Sequence, residues 1–432
     1  MPRLRLRDFF LALISLSFAA QVQAEDLMDI YRSALENDPQ FLAAQYQQQA
    51  SLEGRQQARS QLLPQVGLSG NIARTESDGD GRGFYHSDSI SLSLTQTIYN
   101  KADYIGLSQA DMRSEQARLE YAGSRQDLIL RAAESYFAVL AASDNLEFAR
   151  SEKNAIARQL EQAERRFEVG LIAITDVKEA QARHDLAIAQ EIASENRLAN
   201  AREAMRVLTG SDATNLRALN ESSPLDPPVP GDSEAWVNMA SENSLSLSSA
   251  RLAVEIARES IALQRAARYP DTELVGSYTD SHSDGLMGDS RTTQLRVQVS
   301  VPLYAGGAIS SRVREARANF EVARQQYETN RRSVEQQTRN AYRNVLAGIS
   351  RAQALKQALV STQSGAEATE AGFEVGTRTA VEVLTALRET YSAQADYSSA
   401  RYDYILELLR LRQAAGVLDV SDLEQVNQWL VR

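Results

Sequence analysis

From Ala102 to Phe167 the chain contains no proline and only two glycines, Gly106 and Gly123. Within that run Leu146, Ala149, Ile156, Leu160, Ala163 and Phe167 recur at alternating three- and four-residue steps, with Lys153 as the exception. That spacing is a coiled-coil seam. About 65 helical residues at about 1.5 Å each make a rod of roughly 100 Å. Such a rod cannot fold back into a compact domain and needs partners of matching length.

A second run of the same kind extends from Ala308 to Phe373. The two ends share a word: Phe167-Glu-Val-Gly170 returns as Phe373-Glu-Val-Gly376, 206 positions later. The same offset links Pro64 with Pro270, Ala34 with Ala240 and Asn37 with Asn243. The chain therefore reads as two structural copies, each too long to be a small solenoid repeat. A duplicated long unit points to a pseudo-symmetric ring or tube. The expected organisation is a leader over 1–24, a first repeat over 25–210, a linker over 211–235, a second repeat over 236–415 and a terminal segment over 416–432.

Each copy has the same order. Residues 39–62 carry a helical pattern that stops before Pro64. Residues 65–73 and 89–98 alternate, with Val66, Leu68 and Ile72, then Ile90, Leu92 and Leu94, against small polar residues. Period two predicts strands. The Asp-, Gly- and Ser-rich stretch 75–88 between them predicts an exposed loop. Helices are expected over 102–167 and 176–208. The second copy predicts helix 245–268, strands 271–279 and 292–301 about loop 280–291, and helices 308–373 and 379–414. The two shorter helices of a copy can stack end to end along the long one. The linker holds Pro224, Pro227, Pro228 and Pro230, four of the nine prolines, and reads as extended. Trp429 is expected to pack beside it.

Arg3, Arg5 and Arg7 ahead of an apolar stretch from Phe9, with Val22-Gln23-Ala24 as a small-residue cleavage site, predict a secretion leader. The chain has no cysteine, so neither disulfide nor thiol chemistry nor N-terminal lipidation is available. The net charge is −11; removing Arg3, Arg5, Arg7 and Asp8 takes away +2 and leaves −13. That balance argues against nucleic acid as a partner. It suits a cation-favouring lumen and equally an ordinary soluble surface. No mature stretch is long and apolar enough for a spanning helix, so a membrane crossing requires a closed β-barrel. Four strands of about ten residues have the length of tilted transmembrane strands, but four cannot close a barrel. A soluble four-stranded sheet capping a coiled coil is the competing reading.

Three stretches carry a family resemblance: Phe167-Glu-Val-Gly-Leu-Ile-Ala-Ile-Thr-Asp-Val177, Phe373-Glu-Val-Gly-Thr-Arg-Thr-Ala-Val-Glu-Val383 and Val301-Pro-Leu-Tyr-Ala-Gly-Gly307. Over essentially the whole mature chain the sequence resembles the bacterial outer-membrane channel proteins typified by TolC. The resemblance implies an α+β membrane protein. It forms a homotrimer whose chains share a twelve-stranded β-barrel, continued by a long α-helical tunnel across the periplasm. It implies a passive exit duct for type I protein secretion, multidrug efflux or both. Its partners are outer-membrane lipid, a periplasmic adaptor and an inner-membrane ABC or RND-type pump, and no cofactor is expected.

Carried over by position, the resemblance places a periplasmic gate at Thr175, Asp176, Phe373 and Arg378, with Thr175 and Asp176 meeting Arg378 of the same or a neighbouring protomer. Phe373 stands where the family often has Tyr, so one hydrogen bond to Asp176 is missing. Glu382 is expected to face the pore as an acidic ring of a single layer, because Thr385 occupies the next acidic position. Gly170 and Gly376 mark adaptor-docking tips. The same residues also read as plain helix caps: Thr379 and Glu382 form a capping-box pattern, Asp176 with Glu179 resembles one, and the glycines suit left-handed caps.

An enzyme reading finds no support. His86, His184 and His282 have no metal-ligand spacing. The Gly79-x-Gly-x-Gly83 stretch lies between strands and is no phosphate cradle. The alternative from a different class is a periplasmic coiled-coil adaptor without a membrane barrel.

Overall fold

The computed structural model describes residues 24–77, 83–212, 215–284 and 288–431. The predicted leader, but for Ala24, lies outside them, as do the centres of both strand-connecting loops and the glycines Gly79 and Gly81. The chain forms nine described helices and four strands in two similar runs. The first comprises α1 (Leu27–Asn37), α2 (Pro39–Ser60), β1 (Gln65–Ser77), β2 (Gly83–Tyr99), α3 (Lys101–Glu168) and α4 (Ile174–Thr209). The second comprises α5 (Ser233–Asn243), α6 (Leu245–Ala266), β3 (Asp271–Ser283), β4 (Ser290–Ser300), α7 (Ala308–Glu374) and α8 (Ala380–Ala414), followed by α9 (Val420–Asn427).

The long helices have 68 and 67 residues, which makes each about 100 Å long. They start differently. A single residue, Asn100, separates β2 from α3, and its side chain caps the helix by accepting from the Ala102 and Asp103 amides. The α7 helix instead follows Gly306 and Gly307, both with positive φ, a backbone turn that side chains disfavour. Along α3, α2 packs at the strand end, where Arg55 pairs with Asp111, and α4 at the far end, where Lys153 Nζ reaches Glu191 Oε2 at 2.7 Å. The polar break in the predicted seam is thus an ion pair inside the α3–α4 hairpin. Leu146, Ala149, Ile156, Leu160 and Ala163 are buried as the seam requires, whereas Phe167 is 40% exposed. In the second run α6 and α8 pack along α7.

The sheet has the order β1-β2-β3-β4, antiparallel throughout. Register lines up the apolar positions of all four strands. Leu68 pairs with Leu92, Leu92 with Tyr278, Leu94 with Gly276, Gly276 with Leu295, and Leu274 with Val297. Directly paired residues share a face, so one face carries Leu, Val and Ile and the other Ser, Thr and Gln. The apolar face is open in the protomer, with Leu68 74% and Ile72 85% exposed. The outer edges of β1 and β4 have no strand partner among the described residues.

The strands run further than alternation predicted. Residues 75–77 and 83–88, expected as loop, continue the β1–β2 ladder, with Arg74 opposite His86 and its guanidinium 4.4 Å from the Phe84 ring centre. Ladder partners override a turn-like composition. At the other end β4 stops at Ser300 rather than Val301, because Pro302 follows and has no amide to pair.

Two short helices, α1 and α5, escaped the sequence pattern. Each begins at an aspartate cap: Asp26 accepts from the Asp29 amide at 3.0 Å and Asp232 from the Ala235 amide at 3.2 Å. With α9 and the linker they wrap the middle of the rod and close its largest core, around Leu27, Ile30, Tyr136, Phe137, Ile405 and Leu411. Phe137 stacks on Tyr402 at 5.4 Å. Side-chain donors hold the linker: Tyr136 Oη to Arg217 O, Tyr404 Oη to Asp226 O and Trp236 Nε1 to Pro230 O, all within 2.9 Å. The Asn220 amide donates to Trp429 O, and Leu219 bridges Leu430.

Candidate functional site

The end of the rod away from the sheet consists of two interhelical turns, α3 to α4 and α7 to α8. Both close by the same hydrogen bonds. Leu171 N donates to Arg166 O and Gly170 N to Phe167 O; Thr377 N donates to Gly372 O and Gly376 N to Phe373 O. This is a Schellman closure, which needs a left-handed residue after the helix. Gly170 has φ +75° and Gly376 φ +80°, with open space where a side chain would point. The repeated word therefore encodes a turn and leaves the backbone accessible at its apex. Val169 and Val375 beside the glycines are 69% and 76% exposed.

The side chains on the two turns differ. In the second, Thr379 and Glu382 form a full capping box: Glu382 N donates to Thr379 Oγ1 at 3.3 Å, and Thr379 N donates to Glu382 Oε2 at 2.7 Å. Arg378 Nη1 also donates to Glu382, at 2.6 Å. The Thr379 amide, then Arg378, then the Thr379 hydroxyl hold the Glu382 carboxyl down at about 2. In the first turn the cap position is Ala173, which has no side-chain acceptor. Only the return arm exists, from Ala173 N to Asp176 Oδ2 at 3.3 Å.

These contacts correct several expectations. Asp176 does not box with Glu179; it caps its own helix, and Glu179 pairs with Arg183 instead. Within one protomer neither Thr175 nor Asp176 meets Arg378, because Arg378 is committed to Glu382 one turn along its own helix. Thr175 is exposed and has no side-chain partner among the described residues. Arg378 and Glu382, expected to play separate parts, are one ion pair.

Two links between the hairpins were not anticipated. Gln159 Nε2 on α3 donates to Glu370 Oε1 on α7 at 3.5 Å. The Arg166 guanidinium lies 4.3 Å from the Phe373 ring centre, and Phe373 is only 6% exposed. Sequence spacing cannot reveal such pairs, since the partners lie more than 200 residues apart. The one available signal was a basic residue just before the first Phe-Glu-Val-Gly and a glycine in its place before the second. Above the tips a cavity of about 500 Å³ separates α3, α4 and α8, lined by Glu152, Arg183, Leu384, Arg388 and Tyr391 among others. Burial pushes the Glu152 carboxyl up, and Arg388 partly offsets this.

No described helix is long and apolar enough to cross a membrane, but the sheet has an apolar face and two free edges. A sheet that must be completed by other chains, carried on two coupled helical hairpins, defines one subunit of a barrel-and-tunnel channel. The profile of the family described as "Outer membrane efflux protein" matches residues 30–211 and 236–417, and the chain belongs to that family. It is 40% identical to "Outer membrane protein TolC" of Vibrio cholerae, over 96% of each chain. It is 32% identical to "Alkaline protease secretion protein AprF" of Pseudomonas aeruginosa, over 93% of this chain and 86% of that one. The solved "CmeC outer membrane channel" of Campylobacter jejuni superposes with a TM-score of 0.80 at 15% identity, covering 96% of this chain and 92% of that chain. The protein is a trimeric outer-membrane exit duct whose helical tunnel extends into the periplasm. The adaptor reading without a barrel is not favoured.

Proposed function

We propose that this duct opens and closes at the paired tips and docks there onto a periplasmic adaptor, which couples it to an inner-membrane ABC or RND-type pump. The observation that carries the reading is the pair of Schellman turns, with Gly170 and Gly376 bare at the apex and flanked by exposed Val169 and Val375. Two apolar knobs beside accessible backbone suit the end of another helical hairpin. The chain itself has no ATP-binding loop, so the partner supplies the energy. Glu382 contributes an acidic ring at the mouth, and Thr175 and Asp176 reach Arg378 only across a protomer boundary. The export routes it serves are type I protein secretion and efflux; the relative named for protease secretion supports the first. On the sheet, the apolar face turns to lipid and the Ser- and Thr-rich face to the lumen.

The absence of native cysteine makes the test direct. Single cysteines at Glu168 and Glu374, two exposed tip positions, should crosslink to the adaptor in whole cells. A cysteine at Gln298 on the polar sheet face should not. Adaptor crosslinks confined to the sheet end would overturn the docking assignment.

A further inference from the structure

We propose that Arg166 and Phe373 form a latch between the two hairpins of a protomer that keeps the tunnel mouth shut by a charge-on-ring contact; this rests on the reading of the tips as a gate. The two tips make the case by their difference. Phe167 and Phe373 occupy the same position in the same turn, yet the first is 40% exposed and the second 6%. The position before Phe373 is Gly372, which has no side chain to cover anything; the corresponding residue of the first copy is Arg166. Arg166 reaches across from α3 and lays its guanidinium over the Phe373 ring at 4.3 Å.

Arg166 makes no ion pair among the described residues, while its neighbour Arg165 pairs with Glu161. Its charge is therefore not committed to a carboxylate and is available to the ring face, where a planar guanidinium stacks better than an ammonium. The glycine at 372 has its own use. A Cβ there would come within 2.7 Å of Arg378 Cγ, so a side chain at 372 would displace Arg378 from this position. The bare residue 372 thus leaves room for Arg378, while its counterpart Arg166 supplies the cover for Phe373.

The latch partners belong to different hairpins, so the contact exists only while α7–α8 lies against α3–α4. An outward swing of the second hairpin breaks it and leaves both Schellman turns intact. Gln159 with Glu370 is a second, weaker tie between the same two helices.

Single-channel recording of the purified trimer in planar bilayers tests the latch. Arg166→Gln and Phe373→Leu should each shift the closed-to-open ratio by about two- to five-fold per protomer toward open. The double variant should add nothing further, because both changes remove one contact. Phe373→Tyr, which keeps a ring, should not open the channel, and Arg166→Lys should fall between. Heat-modifiable migration confirms that each variant remains a trimer. If Arg166→Gln opens the channel but Phe373→Leu does not, or if their effects multiply, Arg166 acts in another way and the latch is wrong. If neither changes conductance while Arg378→Ser does, the latch fails and the gate stands. If all three variants conduct like the parent, the gate reading fails with it.

Discussion

The two tips share a backbone and differ in nearly every side chain that does something. Both end a long helix at Phe-Glu-Val-Gly, both close by the same pair of backbone hydrogen bonds, and both place glycine in the left-handed region. The first tip has a cap position without an acceptor, Ala173, and an exposed Phe167. The second has a complete capping box, an ion pair on the same helix and a buried Phe373. Duplication preserved the turn, which local backbone sterics enforce. It left the side chains free to diverge, and their roles follow from what the other hairpin brings near.

The largest expected contrast is at the two phenylalanines. Phe373→Ala should cost about 3 kcal/mol of local stability, by analogy with buried aromatic deletions. Phe167→Ala should stay within about 0.5 kcal/mol, as for surface sites. Amide hydrogen exchange at the two helix ends measures both in one sample. Equal protection losses would break the comparison.

Next come the glycines, where the tips should behave alike. Gly170→Ala and Gly376→Ala each force a Cβ into the left-handed region, at about 1–2 kcal/mol. Local melting read by protease sensitivity should rise similarly for both. A neutral result at either would mean that its turn is not the Schellman closure described.

The caps should respond in opposite directions. Thr379→Ala removes the acceptor at the start of α8 and should cost about 1 kcal/mol, whereas Ala173→Ser supplies the missing one to α4 and should gain about 0.5 kcal/mol. Exchange rates of the first-turn amides read this out, and a loss at both positions would contradict the half-box in the first tip.

The smallest effect is on acid titration. With its folded carboxyl held down to about 2 against the ordinary 4.5, Glu382 contributes fully above about pH 4.5. That contribution fades as the pH falls toward 2. The second tip should therefore remain capped at pH 4, and cation selectivity due to this residue should persist there. A carboxyl titration midpoint near 4.5 in carbon NMR would show that neither Thr379 nor Arg378 holds it in solution.

Much of the architecture was readable from local chemistry. The lengths of α3 and α7 follow from two proline-free runs, the turns from Gly170 and Gly376, and the four strands from period-two alternation. Short-range signals of this kind act within a few residues and survive in any context. Even the Arg378–Glu382 pair lay within reach, since i and i+4 are neighbours on a helix. The capped helices α1 and α5 were missed because eleven residues carry too little periodicity, although Asp26 and Asp232 marked their starts.

Sequence alone determined that this chain is a duplicated rod with strands at one end and twin glycine turns at the other, because helix length, strand period and turn type are set by backbone sterics and side-chain spacing. Only the tertiary structure decided that Leu92, Tyr278 and Val297 share one face, that Lys153 in the seam is answered by Glu191, and that Arg166 covers Phe373 while Phe167 stays 40% exposed. Those facts depend on register and on hairpins meeting across more than 200 residues of chain, where no local energy term connects the partners until the fold has brought them together.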